Sequence, residues 1–455
     1  LCQTQQQIRL PRRMIDPTGK LLGDISTVGG SRNTALSGHV SRFDGLVLEC
    51  DGFPVSVGSV CDVETASGDT VKAEVIGYSE GRNQLVLYEQ GARIHAGVRV
   101  SLSDEGIDID AGDEYLGRVV DALGEPLDGL PAPVGAYKRP LQGRMLNPLS
   151  RGGVLSVMDV GVRAVNGMLT IGRGQRIGII AGSGVGKSVL LSMMARFSTA
   201  DVIIVGMIGE RAREVGDLVR GMLNEETRKR LCVIAVPADR SPLLRIRAAH
   251  RASALAEHFR DQGKHVLLIM DSLTRVAHAR REIGLALGEQ PTAKGYPASV
   301  MSLIPSLVER AGMGDTTAGG SITGIYTVLA DGDDTNDPVV DSARAILDGH
   351  VVLSRANAQM GIYPAVDISA SISRVMNDIV DPKHLAAARR VRQLVSLYME
   401  NRDLMLMGGY AEGQDADLDQ AVKLWPKIVE FISQRPDSRA DFKTSIRDLL
   451  AVAGT

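Results

Sequence analysis

The stretch IIAGSGVGKSVLL, residues 179–191, decides the fold of this chain. The apolar run RIGII leads into it, and the run VLLSMMARF that ends it has helical spacing. A strand, a loop and a helix in this order match the P-loop pattern of glycine, four residues, then glycine, lysine and serine or threonine. Ala181 departs from the pattern at the first glycine, but Gly182, Gly184 and Gly186 let the backbone take unusual angles. The alternative is an ordinary strand-to-helix turn. The Gly-Lys-Ser triplet at the start of a helix favours the phosphate site.

A P-loop holds a nucleotide because successive backbone N–H groups and the helix N-terminus point at one anion. We expect the Lys187 ammonium to reach the outer phosphates and the Ser188 hydroxyl to ligate Mg²⁺. The sequence therefore predicts a nucleotide and Mg²⁺ as cofactors. The predicted nucleotide-binding residues of the loop are Gly182, Ser183, Gly184, Val185, Gly186, Lys187, Ser188 and Val189.

Length and composition bound the class of protein. A chain of 455 residues with 44% apolar and 23% charged residues is typical of a globular protein of two to four domains. A net charge of −3 and an aromatic content of 4% count against a nucleic-acid motor. The four cysteines form no CxxC pair, so neither a disulfide framework nor a zinc site is predicted. No apolar run approaches the ~18 residues of a membrane span, and we expect a cytoplasmic protein.

The pattern along the chain changes three times. Residues 1–35 are polar and basic and are predicted to form a tail. Short alternating segments over residues 36–105 predict a small β-barrel. Strand runs alternate with helical stretches over residues 106–380, which predicts an α/β core with a parallel sheet covered on both faces. Residues 381–455 are nearly free of strand patterns and predict a helical domain.

Acidic side chains end two of the predicted parallel strands. HVLLIMD ends at Asp271, and DVIIVGMIGE ends at Glu210. Ligands of open parallel sheets bind beyond the carboxyl ends of the strands, so Asp271 is the predicted magnesium acid and Glu210 could orient an attacking water. Each acid alone could equally cap a strand or solvate a loop. Next to a P-loop, the two together predict a hydrolytic site.

Two further details of the sequence predict local structure. Ser241 is the predicted N-cap of a helix that has Pro242 in its first turn and ends before Gly263. The methionines at positions 193, 194, 405 and 407 are expected to fill the core. These expectations concern packing rather than chemistry.

Several longer motifs resemble one family. The segments GERAREV, LLIMDSLTR, GYPASV, LVERAG, VLADGDDTNDPVVD, ILDGHVVLSR and GIYPAVDISASISR accompany AGSGVGKS. Together they closely resemble the catalytic ATPases of type III protein export, which are relatives of the rotary ATP synthase catalytic subunits. The resemblance runs from about residue 36 to the C-terminus, and GGYAEGQDADLD looks more like the export branch than the synthase branch.

The resemblance implies a fold and an activity. The expected fold is a RecA-like P-loop ATPase core between a small N-terminal β-barrel and a C-terminal helical domain. The expected activity is hydrolysis of ATP with Mg²⁺ by a homohexameric ring beneath the export gate of a flagellum or an injectisome. The flagellar system is the first expectation and the injectisome the second.

The resemblance also assigns site residues. The family's catalytic glutamate corresponds to Glu210, and Arg211 is similar to the arginine beside it. Lys187 and Ser188 match the P-loop lysine and hydroxyl, and Asp271 matches the magnesium acid. The resemblance thus implies that Glu210, Lys187 and Arg211 take part in catalysis.

Two residues near the end of the core complete the implied site. Tyr363 looks like the aromatic residue that packs on the adenine, and Arg374 resembles the arginine finger that one subunit supplies to its neighbour's nucleotide. Without the resemblance, Tyr363 before a proline is a common turn and Arg374 a surface charge. The resemblance therefore implies that Arg374 is a catalytic residue and that its action requires assembly of the ring.

The implied partners follow from the same family. They are further copies of the chain, a stator-like regulatory subunit docked on residues 1–35, a central-stalk coiled-coil protein, the export gate, and chaperone–cargo complexes. The implied location is the inner face of the cytoplasmic membrane, as a peripheral protein, with no nucleic acid bound. Two other classes stay open: a non-catalytic nucleotide-binding subunit, which Glu210 disfavours, and a hexameric RNA translocase, which the low aromatic content disfavours.

Overall fold

The structure is a computed structural model that describes residues 36–316, 319–329 and 337–454. The predicted tail, residues 1–35, lies outside the described residues, as does the centre of the VLADGDDTNDPVVD motif.

A closed β-barrel begins the described chain. Its strands are ordered β1-β2-β5-β4-β3-β6, with all neighbouring pairs antiparallel. In β4 the inward side chains of Val71, Ala73 and Val75 are buried and alternate with exposed or half-buried ones, so one face of each strand fills the barrel. The bounds are β1 Ser37–Phe43, β2 Val47–Asp51, β3 Val60–Glu64, β4 Thr70–Ser79, β5 Arg82–Leu87 and β6 Arg99–Asp104.

A second sheet forms the centre of the molecule. Its order is β17-β16-β10-β15-β13-β11-β12-β8, and β14 pairs with β15 outside this path. All pairs from β16 to β8 are parallel, whereas the edge strand β17 is antiparallel to β16. The bounds are β8 Val119–Val120, β10 Arg176–Ala181, β11 Val202–Ile208, β12 Leu231–Val236, β13 His265–Asp271, β14 Gly312–Met313, β15 Ser321–Leu329, β16 Gly349–Leu353 and β17 Val366–Ser373. A separate ribbon joins β7 Asp108–Ala111 to β9 Tyr137–Pro140.

Helices cover both faces of this sheet, which is why β11 and β12 are buried along their whole length. The helices of the core are α1 Arg163–Met168, α2 Lys187–Phe197, α3 Ala212–Met222, α4 Pro242–Asp261, α5 Leu273–Ala286, α6 Ala298–Val308, α7 Pro338–Ile346, α8 Arg355–Gln359 and α9 Met376–Ile379. The predicted helix after Ser241 is α4, but the Ser241 hydroxyl donates to the Leu87 carbonyl of the barrel, 2.8 Å away, instead of capping the helix.

Three helices end the chain: α10 Pro382–Leu406, α11 Ala416–Ile432 and α12 Phe442–Ala453. They pack on one another and on α1, and the rings of Tyr398 and Trp425 stack with centroids 4.0 Å apart. Met193 and Met194 are buried as predicted, but Met407 is 80% exposed, so its expected place in the core is wrong. Met407 is the C-cap residue of α10, beyond the last helical turn, and its side chain is exposed there.

A buried ion pair joins the core to the passage that follows the barrel. The Arg310 guanidinium donates to both carboxylate oxygens of Glu257, at 2.7 and 2.9 Å, and to the Leu141 carbonyl at 3.0 Å. The two charged side chains are only 9% and 8% exposed. Each charge therefore depends on the other for its stability in the interior.

Among the helices of the described residues, none combines the length and the apolar character needed to cross a membrane.

Candidate active site

The predicted P-loop connects a central strand to a helix. β10 ends at Ala181, and α2 begins at Lys187 after a loop in which Gly184 and Gly186 have φ of +80° and +89°. These left-handed conformations explain the glycines, because L side chains rarely adopt them. Gly186 is the N-cap of α2 and brings no side-chain cap, so backbone N–H groups of the first turn face an anion site.

A cavity of about 530 Å³ opens over this loop, which is within the size range of nucleotide sites. Every predicted P-loop residue except Val185 lines it, together with Glu210 and Arg211. Val185 is 2% exposed and packs into the core beneath the loop, so its side chain supports the loop rather than facing the cavity.

Three charged side chains meet at the floor of the site. The Lys187 ammonium donates to Glu210 Oε1 at 3.1 Å and, through a shorter contact, to Asp271 Oδ1. Burial opposes the charge on Lys187, but the facing Asp271 and Glu210 carboxylates outweigh it and raise the lysine pKa above its usual 10.5. Burial likewise raises the pKa of Glu210 above 4.5, with Lys187 acting in the opposite direction. The single positive charge of the lysine thus offsets part of the negative charge of the two acids.

The sheet brings the two acids together. β11 and β13 are adjacent and parallel, with Met207 beside Asp271, so Glu210 and Asp271 follow the same edge of the sheet. Gly209, with φ of +71°, turns the chain between β11 and Glu210. A side chain at Gly209 would lie 2.8 Å from Cβ of Arg275, so only glycine fits this turn.

Sequence reasoning missed one polar neighbour of this group. The Thr327 hydroxyl, on β15, lies 2.6 Å from Asp271 Oδ1 and is fully buried. The apolar run ITGIYTVLA hides it, because a threonine in a buried strand usually serves packing. Only the register of β13 with β15 shows that it faces the site.

The oxygen donors present suit the predicted metal. A serine hydroxyl and a carboxylate, at Ser188 and Asp271, are hard oxygen ligands of the kind Mg²⁺ takes beside substrate phosphates and water. No cluster of three His, Cys, Asp or Glu side chains that could hold a metal by itself occurs in the part of the chain described. The donor set therefore fits Mg²⁺ held partly by the nucleotide, and not a metal cage built from protein alone.

Tyr363 lies beside the loop. Its ring carbons are 3.4 and 3.5 Å from the position that a Cβ on Gly186 would take, and 45% of the residue is exposed. The Gln434 N–H, after α11, donates to the Tyr363 carbonyl at 2.8 Å, and the Gln434 side chain bonds the Gly161 carbonyl and the Arg163 N–H. An aromatic face is thus presented next to the P-loop and is held from the helical domain.

Arg211 and Arg374 stand apart from the charged group. The Arg211 side chain is 85% exposed and borders the cavity. The ion pair described for it is with Glu214, at 3.3 Å, and not with Glu210 or Asp271. The backbone N–H of Arg374 donates to the Asp348 carbonyl oxygen, and the backbone N–H of Asp348 donates to the Arg176 carbonyl oxygen at the start of β10. Arg374 therefore lies near the start of β10. From Arg176 to Ala181, β10 advances five residues at ~3.3 Å each, so Arg374 lies about 17 Å from the end of the strand that leads into the P-loop. Arg374 lies at the opposite edge of the sheet because β17 runs antiparallel.

A parallel sheet with a P-loop at its centre, and with a P-loop lysine that contacts two acids at the ends of neighbouring strands, defines a P-loop ATPase core. Comparison with known proteins agrees with this class. The family described as "ATP synthase alpha/beta family, nucleotide-binding domain" matches residues 161–373, and "T3SS EscN ATPase C-terminal domain" matches residues 380–451.

The chain is similar to the flagellum-specific ATP synthase of Salmonella typhimurium, with 51% identity over 90% of this chain and 92% of that protein. It also resembles the assembled ATPase EscN of the enteropathogenic E. coli type III secretion system, at 39% identity and a TM-score of 0.86, over 91% of this chain and 100% of that one. EscN in complex with its central stalk EscO gives 38% identity and a TM-score of 0.83, with the same coverage. The chain belongs to the family of type III export ATPases that includes the flagellum-specific ATP synthases. The predicted α/β fold class and the ATP-hydrolysing activity are thereby confirmed.

Proposed function

We propose that this chain hydrolyses ATP in a homohexameric ring and so energises type III export of flagellar proteins. The observation that carries the proposal is that Lys187, which lines the P-loop cavity beside Glu210, donates to both Glu210 and the buried Asp271. A subunit that only binds nucleotide needs the lysine but has no use for a buried glutamate with a raised pKa, since that is the property of a general base.

The proposed mechanism begins with the release of Lys187 from the two acids. The phosphates of ATP offer the ammonium a denser negative charge, so the lysine turns to them and frees both carboxylates. Glu210 then accepts a proton from the attacking water, and burial keeps that carboxylate basic. Ser188 and Asp271 would hold Mg²⁺, which neutralises charge on the phosphate oxygens.

Arg374 is proposed to act on the neighbouring subunit's nucleotide. Its place at the far edge of the sheet leaves it about 17 Å from its own P-loop strand end, beyond the reach of its own phosphates. An exposed arginine at that edge is available to a second copy of the chain, and EscN, the structural relative, is known in an assembled form. An arginine supplied in trans contributes about 10³- to 10⁵-fold to phosphoryl transfer.

Tyr363 and Arg211 keep their predicted roles as proposals. The half-exposed ring of Tyr363 beside Gly186 suits stacking on the adenine. Arg211 is held only by an exposed pair with Glu214, and such pairs contribute about 0–1 kcal/mol, so its guanidinium can turn into the cavity at little cost.

The flagellar system is favoured over the injectisome by the comparisons. Identity is 51% to the flagellum-specific relative and 39% to EscN. We propose the corresponding partners for this chain. They are a central stalk like the one in the EscN complex, a regulatory subunit docked on residues 1–35, the export gate and chaperone–cargo complexes. Work at the export gate would place the chain at the inner face of the membrane as a peripheral protein. No nucleic-acid partner is proposed.

The test uses a Glu210→Gln variant. The purified variant should bind a fluorescent ATP analogue as tightly as the native chain and hydrolyse ATP about 10²- to 10⁴-fold more slowly. When the Glu210→Gln variant replaces the native chain in the source bacterium, flagellar export substrates should remain inside the cells. Near-normal hydrolysis would remove Glu210 from the mechanism, and loss of injectisome cargo release instead of flagella would assign the chain to the virulence system.

A further inference from the structure

We propose that Thr327 is a positioning residue that orients the Asp271 carboxylate for the magnesium–nucleotide complex. This inference rests on the proposed function and deepens it. Thr327 carries no charge and contacts no phosphate-binding residue of the loop in the hydrogen bonds described, so it acts through Asp271 alone.

The hydrogen-bond geometry gives the hydroxyl one task. Thr327 Oγ1 lies 2.6 Å from Asp271 Oδ1 and 3.3 Å from the Met270 carbonyl oxygen, and both of these atoms are acceptors. A hydroxyl has a single proton, and the shorter, charge-assisted contact takes it. Thr327 is fully buried and Asp271 is 1% exposed, so no water competes for the bond.

The sheet makes this contact rigid. β15 lies between β10, which leads into the P-loop, and β13, which ends at Asp271. Thr327 pairs with Ile179 on β10, and Tyr326 pairs with Met270 on β13, so Thr327 stands level with Asp271. The threonine therefore bridges the two strands that carry the phosphate-binding and metal-binding groups.

The need for Thr327 arises when the nucleotide binds. Asp271 Oδ1 accepts from both Lys187 and Thr327, and the side-chain hydrogen bonds described for Asp271 all end on this one oxygen. Once Lys187 turns to the phosphates, Thr327 is the donor that remains and prevents the carboxylate from rotating. The second carboxylate oxygen is then left for the coordination shell of Mg²⁺. Outer-shell partners of this kind typically contribute about 10- to 100-fold to metal affinity.

The test compares Thr327→Val, which keeps the shape and removes the hydroxyl, with Thr327→Ser, which keeps the hydroxyl. Thr323→Val is the matched control, because Thr323 is equally buried on the same face of β15 and accepts from the Gly174 N–H, away from the site. Binding of a fluorescent ATP analogue is titrated in EDTA and then against Mg²⁺. Thr327→Val should need about 10- to 100-fold more Mg²⁺ with its affinity in EDTA unchanged, while Thr327→Ser and Thr323→Val should follow the native chain.

Three outcomes would overturn the assignment: an unchanged Mg²⁺ titration of Thr327→Val, an equal loss of affinity in EDTA, or a Thr327→Ser variant as impaired as Thr327→Val. If Thr327→Val is not folded by circular dichroism, Thr327→Ala replaces it with the same expectations. A native chain whose nucleotide binding and hydrolysis ignore Mg²⁺ would instead refute the proposed function, so the two failures are distinguishable.

Discussion

The sharpest test of the shared site mixes two inactive variants. A Lys187→Ala subunit loses its grip on phosphate but keeps its arginine, and an Arg374→Ala subunit has the reverse defect. Each pure ring lacks one part of every site. Loss of the trans arginine alone lowers the rate about 10³- to 10⁵-fold, which corresponds to about 4–7 kcal/mol of transition-state stabilisation. Arg374 is exposed, so its removal leaves the fold intact.

Mixing should rebuild complete sites. With random assembly at equal proportions, about one quarter of the interfaces join an intact P-loop to an intact arginine, because each occurs with a probability of about one half. Activity should therefore rise from less than about one thousandth to about one quarter of the native rate per site. The assay is steady-state phosphate release across a series of mixing ratios, with mixed rings verified by native mass spectrometry.

A second mixture separates the possible explanations. Native chain mixed equally with a chain that carries both Lys187→Ala and Arg374→Ala should also retain about one quarter of its sites if the arginine acts in trans. If Arg374 acts within its own subunit, this mixture retains about one half and the two single variants recover nothing. That pair of results would refute the shared site. If both mixtures stay inactive, the sites fire only in concert.

The remaining predictions concern pH, stability and the N-terminus. Because burial raises the pKa of Glu210 above 4.5, ATP hydrolysis should fall with decreasing pH before an ordinary glutamate is protonated, and a pH–rate profile without this early decline would contradict that role. Arg310→Ala should lower the free energy of unfolding by about 3–5 kcal/mol in urea denaturation, and adding Glu257→Gln should restore part of it. An unchanged midpoint would show that the pair is not essential to the interior. Deletion of residues 1–35 should leave ATPase activity measurable and abolish co-purification of the regulatory subunit, whereas an unfolded product would show that the segment is structural.

The sequence predicted the centre of the site because chemistry constrains those positions. A lysine and a serine after glycines, and acids at the ends of apolar strands, are patterns that the parallel sheet converts into proximity. The separation of Arg374 from its own P-loop is implied by the family resemblance but not by the residue pattern alone, because it depends on β17 running antiparallel at the edge. Thr327 was missed because its function comes from strand register, which a single strand does not encode.

Local rules failed where tertiary contacts compete. Ser241 occupies the predicted N-cap position, yet its hydroxyl donates to the buried Leu87 carbonyl of the barrel and accepts no hydrogen bond from the first turn of the helix. Met407 is an apolar residue of a type common in protein cores, but it lies beyond the last turn of its helix. At both positions the surroundings in the folded structure, a carbonyl partner for Ser241 and solvent for Met407, set the outcome.

The hydrogen bond between Gln434 and Tyr363 connects the C-terminal helical domain to the surroundings of the P-loop. Gln434, which follows the second C-terminal helix, donates its backbone N–H to the carbonyl of Tyr363, whose exposed ring lies beside the P-loop. The amide side chain of Gln434 also bonds to residues 161 and 163. A tilt of the C-terminal helices that moves Gln434 should therefore also move the backbone of Tyr363 beside the P-loop. We expect a force on the outer helices to reach the Tyr363 ring beside the P-loop by this route.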